Sequence, residues 1–418
     1  MRQRFHLHTD ISKAKSNMLK RILDKLENPK RPLLGPNVKY LQLWGLLLPE
    51  NKIQRYLYMM MHMSVMVFVV TEFADIWFIR SDVIQLLTNF KISMLSTVSI
   101  CKVTTFLVWQ SCWKEIIEYA TKADLNQRAT ADEGNRKIIE KFTKYCRKVS
   151  YLYWFLTYCT GTTVILQPIF AYAASPTYRF NVKNGSEVYV QVVSSWTPFD
   201  KNVMPGYIFA SFIQASATVC AAGWITSFDT IAIVLMVFFK GELELLRRDC
   251  CSIFGSEKSK VSEEEAIKRI KEYHSRHLDL VKYARLFDSC LSPIMLLYMF
   301  VCSVMLCATV YQITIETSAM QQFLTAEYLI FGVSQLFMYC WHSNDVYFAS
   351  KDLMLGPYES TWWNRNVSRQ RDISILIGQF NKTVVFTAGP FTDLTVATFI
   401  SILKGAYSYY TLLTQSQA

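Results

Sequence analysis

Seven long apolar stretches recur along this chain, at roughly 56–79, 83–109, 149–172, 207–239, 291–316, 327–349 and 391–414. Each reaches the roughly 20 residues that an α-helix needs to cross a bilayer. Inside hydrocarbon every backbone amide must find its partner within the chain, which a helix does alone and an open strand does not. The fold class this implies is an all-α membrane protein with seven transmembrane helices. Composition agrees: 51% of residues are hydrophobic and only 18% charged, against about 25% charged in a typical soluble domain. The net charge of +11 lies in the gaps between the apolar stretches. It therefore speaks of topology, and no nucleic-acid partner is expected.

Counting Lys and Arg assigns each link a side of the membrane. The segment 1–55 holds 12, and the links after the second, fourth and sixth crossings hold 9, 11 and 5. That puts 37 on one side and 5 on the other, Arg80 and Lys91 among the five. The positive-inside rule then makes the N-terminus cytoplasmic and the C-terminus extracellular. A G-protein-coupled receptor runs the opposite way, so the charge count opposes that class. All eleven Cys fall in crossings or cytoplasmic links and none in the outer loop 173–206, so no disulfide is expected on the oxidising side. The adjacent Cys250 and Cys251 read as small buried thiols rather than a metal site. Of the sequons at Asn184, Asn366 and Asn381, only Asn184 lies outside in this topology, and it is the expected glycosylation site.

Catalytic signatures are missing. The sequence contains no glycine-rich phosphate loop, no HExxH helix and no GxSxG turn. His274 and His277 follow Ser262 and Glu265, which form a capping box. They share a face with Ile267, Ile270, Val281 and Ala284, and packing explains them better than a metal. No catalytic residue, metal or cofactor is expected, and the chain does not read as an enzyme. Ionisable groups inside the crossings say more, because each costs about 2.5–3.5 kcal/mol or more at mid-depth. Lys102 in the second crossing and Asp229 in the fourth have opposite sign and similar depth. A structural ion pair is expected, with Lys102 reaching the inner headgroups as the alternative. Glu72 and Asp75, near the outer end of the first crossing, are expected to be solvated.

The last apolar stretch keeps a polar stripe, Ser401, Lys404, Ser408, Thr411 and Gln415, spaced 3, 4, 3 and 4 apart. At about 100° per residue these fall within an arc of about 80°. A polar arc in lipid must face protein or water. Two readings stay open: a hydrogen-bonding face buried in the chain's own bundle, or the lining of a water path. The second demands several copies about an axis, with Leu412, which flanks the stripe, closing the path by dewetting.

The terminal stretch "TVATFISILKGAYSYYTLL" resembles the closing signature of insect odorant receptors. So do "YLQLWGLLLP" before the first crossing, "YCWHSNDVYFASKDLMLGPYESTWW" in and after the sixth, and "TAG" at 387–389. The resemblance covers most of the chain, in order. It implies a ligand-gated, non-selective cation channel, tetrameric, in the plasma membrane of olfactory sensory neuron dendrites. Helices one to six, within 1–361, would hold an odorant pocket in their outer half. Segments 262–290 and 362–390 would form a cytoplasmic anchor, and 391–416 the pore-lining helix. The short link between the fourth and fifth crossings marks an odorant-tuning subunit, which needs the co-receptor Orco as partner in a heterotetramer.

Carried over by position, Ser408, Thr411, Leu412, Gln415 and Ser416 would line the pore. Ser416 departs from the co-receptor, which is usually aliphatic there. Lys404 suits a wide inner vestibule better than the narrow part. For a small volatile ligand the site should be mostly apolar and aromatic, with one or two polar handles. Depth in the outer half nominates Phe90, Tyr158, Gly161, Ile165, Phe209, Phe212 and Tyr311. A gustatory receptor channel of the same layout is the alternative, but its usual terminal Gln-Phe is missing. A transporter would show repeat symmetry or midplane charges in broken helices, and neither is visible.

Overall fold

The computed structural model describes residues 26–81, 83–256, 259–315 and 319–415, and these are overwhelmingly helical. Ser416, and the side chains of Leu412 and Gln415, lie outside the described residues. In chain order the helices are α1 (Gly35–Leu43), α2 (Lys52–Phe78), α3 (Val83–Val108), α4 (Gln110–Thr130), α5 (Glu133–Ala174) and α6 (Pro176–Lys183). Then follow α7 (Gly206–Cys251), α8 (Glu263–Ile315), α9 (Ala319–Asp352), α10 (Leu355–Glu359), α11 (Val367–Phe380) and α12 (Val396–Gln415). Two small antiparallel hairpins interrupt them, β1 (Gly255–Ser256) with β2 (Ser259–Lys260), and β3 (Thr387–Ala388) with β4 (Thr392–Asp393).

Among the described residues five helices, α2, α3, α7, α8 and α9, are long and apolar enough to cross a membrane. The third and seventh expected crossings fall on α5 and α12. Both are continuous helices, but Thr, Gly, Gln and Ser residues dilute their apolar runs. Helix α7 occupies the centre. From Gly223 to Phe239 every residue is buried; the run is mostly apolar, and polar members such as Thr226, Asp229 and Thr230 find partners inside the bundle. Helices α1, α3, α5 and α9 pack around it, while α8 and α9 pair with each other and hold α12.

The N-terminal segment is tied to the bundle by charge. Arg147 on α5 bonds the Glu27 carboxylate at 2.6 Å and donates to the Leu33 carbonyl at 2.6 Å. Asp124 on α4 accepts from the Leu33 amide at 3.1 Å and pairs with Arg128 at 2.8 Å.

The 53-residue helix α8 contains Pro293, which cannot donate to the preceding turn, and the β3–β4 hairpin seats beside it. Gly389 donates its amide to the Ser292 carbonyl at 3.1 Å and to Ser292 Oγ at 2.8 Å. One turn earlier, Asp288 accepts from the Thr387 amide at 2.7 Å. Gly389 has φ +64°, and a Cβ there would lie 2.7 Å from Leu296 Cδ2. The Thr387-Ala388-Gly389 triplet thus has a backbone reason: only glycine permits both the turn and the close approach. All eleven cysteines are free thiols, and no group of His, Cys, Asp or Glu that could hold a metal occurs among the described residues.

Candidate functional site

A largely apolar cavity lies between α2, α3, α5, α7 and α9, with about 830 Å³ of empty space once the open solvent at its mouth is included. Its walls include Phe68 and Val69 of α2, Ile92 and Leu95 of α3, Val164 of α5 and Phe331 of α9. One carboxyl group lines it, that of Glu72 of α2, whose side chain is buried. Glu72 Oε1 accepts from Ser96 Oγ at 3.3 Å, and Oε2 has no partner.

Burial of Glu72 and Asp75 corrects the expectation that both are solvated. The loop between α6 and α7 folds over α2. Trp196 donates its amide to the Thr71 carbonyl at 3.0 Å. Lys201 reaches Asp75 Oδ1 at 2.8 Å, and Ser194 donates to Asp75 Oδ2. These partners are more than 100 residues away in sequence, so helix position alone could not reveal the cover.

Of the seven residues nominated by depth, Gly161 lines this cavity. The other six do not. Phe209 and Phe212 sit on the outward face of α7, 60% and 72% exposed. Tyr158 turns toward the N-terminal side and bonds Tyr40 of α1, whose ring stacks on Trp154 at 4.5 Å. Phe90, Ile165 and Tyr311 are half-buried elsewhere. Depth along a helix can be read from sequence, whereas rotation about its axis depends on the neighbours that pack against it.

A polar knot lies about one helical turn from the cavity. Lys102 of α3 lies 2.5 Å from Asp229 Oδ1 of α7, both side chains fully buried. Tyr153 of α5 and Tyr339 of α9 each donate to the same carboxylate at 2.5 Å, and Gln335 of α9 donates as well. Cavity residues Thr157, Ile225 and Phe331 sit four positions from Tyr153, Asp229 and Gln335, one helical turn away. Sequence pointed to Lys102 and Asp229; the two tyrosines and the glutamine carried no signal among so many aromatic residues.

Helix α12 packs through Phe399, Ile402, Leu403 and Ala406 against α8 and α9, with the Phe399 and Phe337 rings 5.4 Å apart. At about 100° per residue that face lies roughly opposite the polar stripe. Ser401, Lys404 and Ser408 are exposed in the single chain. Their hydroxyls turn back on the helix, Ser401 Oγ to the Ala397 carbonyl at 3.0 Å and Ser408 Oγ to the Lys404 carbonyl at 2.9 Å. Thr411 Oγ1 similarly donates to the Ser408 carbonyl at 2.8 Å. Ser401, Lys404 and Ser408 are therefore not part of an internal seam of the chain's own bundle, the first of the two open readings. The sequon Asn184 is exposed at the end of α6, whereas Asn366 caps α11 and donates to Glu263 at 2.6 Å.

Residues 82–407 match the family model described as 7tm Odorant receptor. The chain belongs to that family. As an odorant receptor it is a receptor protein rather than an enzyme, and its apolar helices are those of a membrane protein. It is 21% identical over 382 residues to Odorant receptor Or2 of Anopheles gambiae, covering 91% of this chain and 97% of that protein. Identity to Odorant receptor 10 of Aedes albopictus is 23% over 212 residues, about half of each chain (50% and 56%). A shorter segment of 147 residues is 23% identical to the odorant receptor coreceptor of Anopheles gambiae, over 35% and 31% of the two chains. Among solved structures, the olfactory receptor OR5 from Machilis hrabei superposes with a TM-score of 0.78 at 15% identity, covering 96% of this chain and 99% of that one. The same receptor in complex with eugenol gives 0.77 over 91% and 97%. At that identity the likeness speaks for the fold.

Proposed function

We propose that this odorant receptor is the odorant-tuning subunit of a ligand-gated, non-selective cation channel. It binds a small volatile molecule in the cavity between α2, α3, α5, α7 and α9 and opens a pore lined by α12. The observation that carries the pore reading is the orientation of the stripe: its hydroxyls and Lys404 point away from the chain's own bundle. In lipid such a face needs water or another protein surface, and copies meeting about an axis would supply it. The partner is the co-receptor Orco in a heterotetramer, with α12 from each subunit facing the axis. All seven expected crossings then span the membrane, the N-terminus inside and the C-terminus outside.

Segments 262–290 and 362–390 suit the cytoplasmic anchor. The first is the inner half of α8, continuous with its crossing, and the second runs from the 3₁₀ turn at Trp362–Asn364 through α11 to the β3–β4 hairpin. The same hairpin joins the anchor to α12. Coupling between cavity and pore has a short route, because α9 supplies Phe331 to the cavity and Phe337 to the α12 contact. A ligand shifts the closed–open equilibrium only by its extra affinity for the open state, and a rigid helix touching both sites can carry that bias.

Thiol accessibility tests the proposal. In channels opened by agonist, Ser408→Cys and Thr411→Cys should react with a water-borne thiol reagent and alter current, while Ile402→Cys should not. The reverse pattern would refute a pore along this face.

A further inference from the structure

We propose that ligands reach the cavity through a second, polar chamber between α3, α5, α8 and α9, which acts as a transient binding station for small uncharged molecules. This deepens the proposed function and rests on the cavity being the odorant site and on the proposed topology.

Every residue lining the cavity is buried or half-buried, and none is exposed. The loop between α6 and α7 adds buried Val193 to the wall and ties Trp196 to the Thr71 carbonyl at 3.0 Å. With the side over α2 covered, a ligand has to come from an adjoining space. The polar chamber is such a space, with about 590 Å³ of empty volume once the open solvent at its mouth is included. Ile92, Thr160, Val164 and Tyr328 line both it and the cavity. These four side chains, from three helices, form the neck, and the Tyr328 hydroxyl donates across it to the Lys91 carbonyl at 3.3 Å. The far wall reaches Gln167, Gln312 and exposed Gln321. All three lie within about two turns of the end of α5, the end of α8 or the start of α9, the end of the bundle that the proposed topology places outside.

The chamber wall is polar where the cavity wall is apolar. Lys91 donates to Gln312 Oε1, Gln312 Nε2 to Thr88 Oγ1 at 2.7 Å, and Thr163 Oγ1 to Glu327 Oε1 at 3.2 Å. Such groups can hold a ligand's polar end while its hydrocarbon part enters the cavity, so that dehydration is spread over two steps. A charged molecule would have to shed its water at the neck, a cost the apolar cavity does not offset. The rival entrance is a groove lined by Met59, Met63 and Val108, all exposed on the face turned to lipid. Among the described residues it shares only Ile100 with the cavity.

A side chain on the path alone raises the barrier to entry and exit alike, because it touches neither the free nor the seated ligand. On- and off-rates then fall by one factor and affinity stays. Gln167 of α5 and Leu324 of α9 line the chamber and not the cavity. The probe is the strongest agonist in a panel of straight-chain volatile alcohols, ketones and esters, applied to cells co-expressing this subunit with the co-receptor. Gln167→Cys and Leu324→Cys should react with a bulky water-borne thiol reagent applied from outside. Current onset at low agonist and decay on washing should then both slow by about ten-fold, with the half-maximal concentration moving by less than about two-fold. Currents evoked by a direct agonist of the co-receptor should keep their rates, and either position suffices if the other variant does not reach the surface. No reaction in surface-stained channels, unchanged rates after reaction, or a shifted half-maximal concentration at unaltered rates would overturn the inference. Slowing by Met63→Trp in their place would overturn it in favour of the lipid side. Gly161→Leu tests the cavity separately. A Cβ at Gly161 meets only Ala222, at 3.8 Å, so the larger side chain enters the cavity and should raise the half-maximal concentration. If it does so while the chamber variants leave the rates intact, the cavity reading stands and the entrance falls. If Gly161→Leu changes nothing, or no member of the panel gates the channel, the cavity reading itself fails.

Discussion

The Asp229 knot makes a quantitative prediction about the stability of the bundle. Its carboxylate holds four donors from three helices: Lys102 of α3, Tyr153 of α5, and Gln335 and Tyr339 of α9. In Asp229→Asn the Lys102 ammonium loses its countercharge while staying fully buried. It keeps a neutral amide oxygen and the aromatic faces of Phe228, Tyr298 and Tyr339, 5.1–5.8 Å away. Breaking a buried pair from one side costs about 3–5 kcal/mol, and the aromatic contacts, present in the wild type as well, do not offset it. A loss of about 3–5 kcal/mol follows for Asp229→Asn. Adding Lys102→Met removes the stranded charge and leaves an amide oxygen to accept from the tyrosines. The double variant should therefore regain about 2 kcal/mol over Asp229→Asn alone, a coupling within the range seen for residues in one network. Thermal melting of the detergent-solubilised subunit fused to a fluorescent reporter gives the ranking: wild type, then Lys102→Met with Asp229→Asn, then Asp229→Asn. A double variant no more stable than Asp229→Asn would refute the argument that an uncompensated buried charge dominates the cost.

Gly389→Ala should destabilise the fold by about 1–3 kcal/mol, since the residue must hold a left-handed backbone against Leu296. A lower melting midpoint, recovered in part by Leu296→Ala, would check it. Lys201→Ala leaves Asp75 buried with the Ser194 hydroxyl as its remaining donor. The outer loop should loosen by about 1–3 kcal/mol, read as faster amide exchange at Trp196; unchanged protection there would argue against the latch. Asn184→Gln should abolish the glycosidase-sensitive mobility shift of the mature protein, whereas Asn366→Gln and Asn381→Gln should leave it in place. A shift that survives Asn184→Gln and disappears with either of the others would reverse the proposed topology.

The largely apolar run from Gly223 to Phe239 shows how far one dimension reaches. A stretch with so little to offer water sits inside, and α7 does. Lys102 and Asp229 are legible for the same reason, because isolated charges in apolar helices need each other. Their neutral partners are not, since Tyr153, Gln335 and Tyr339 look like any other residues of their helices. The stripe of α12 is written in the spacing of Ser401, Lys404 and Ser408. Whether it turned inward or outward was undecided until Phe399, Ile402 and Ala406 were seen to take the inner side.

By itself, then, the sequence determined the helical class, the order and approximate ends of the apolar helices, the charged pair at depth and the polar face of the last helix. These follow from local composition and from periods of three to four residues, which neighbouring positions in the chain are enough to define. Only the tertiary structure decided how each helix is rotated, that Glu72 is buried and Asp75 is covered by a loop more than 100 residues downstream, and that Gly161 faces the cavity while Phe209 and Phe212 do not. Rotation and cover are fixed by contacts between segments far apart in the chain. Their free energy comes from surfaces that exist only once the bundle has packed.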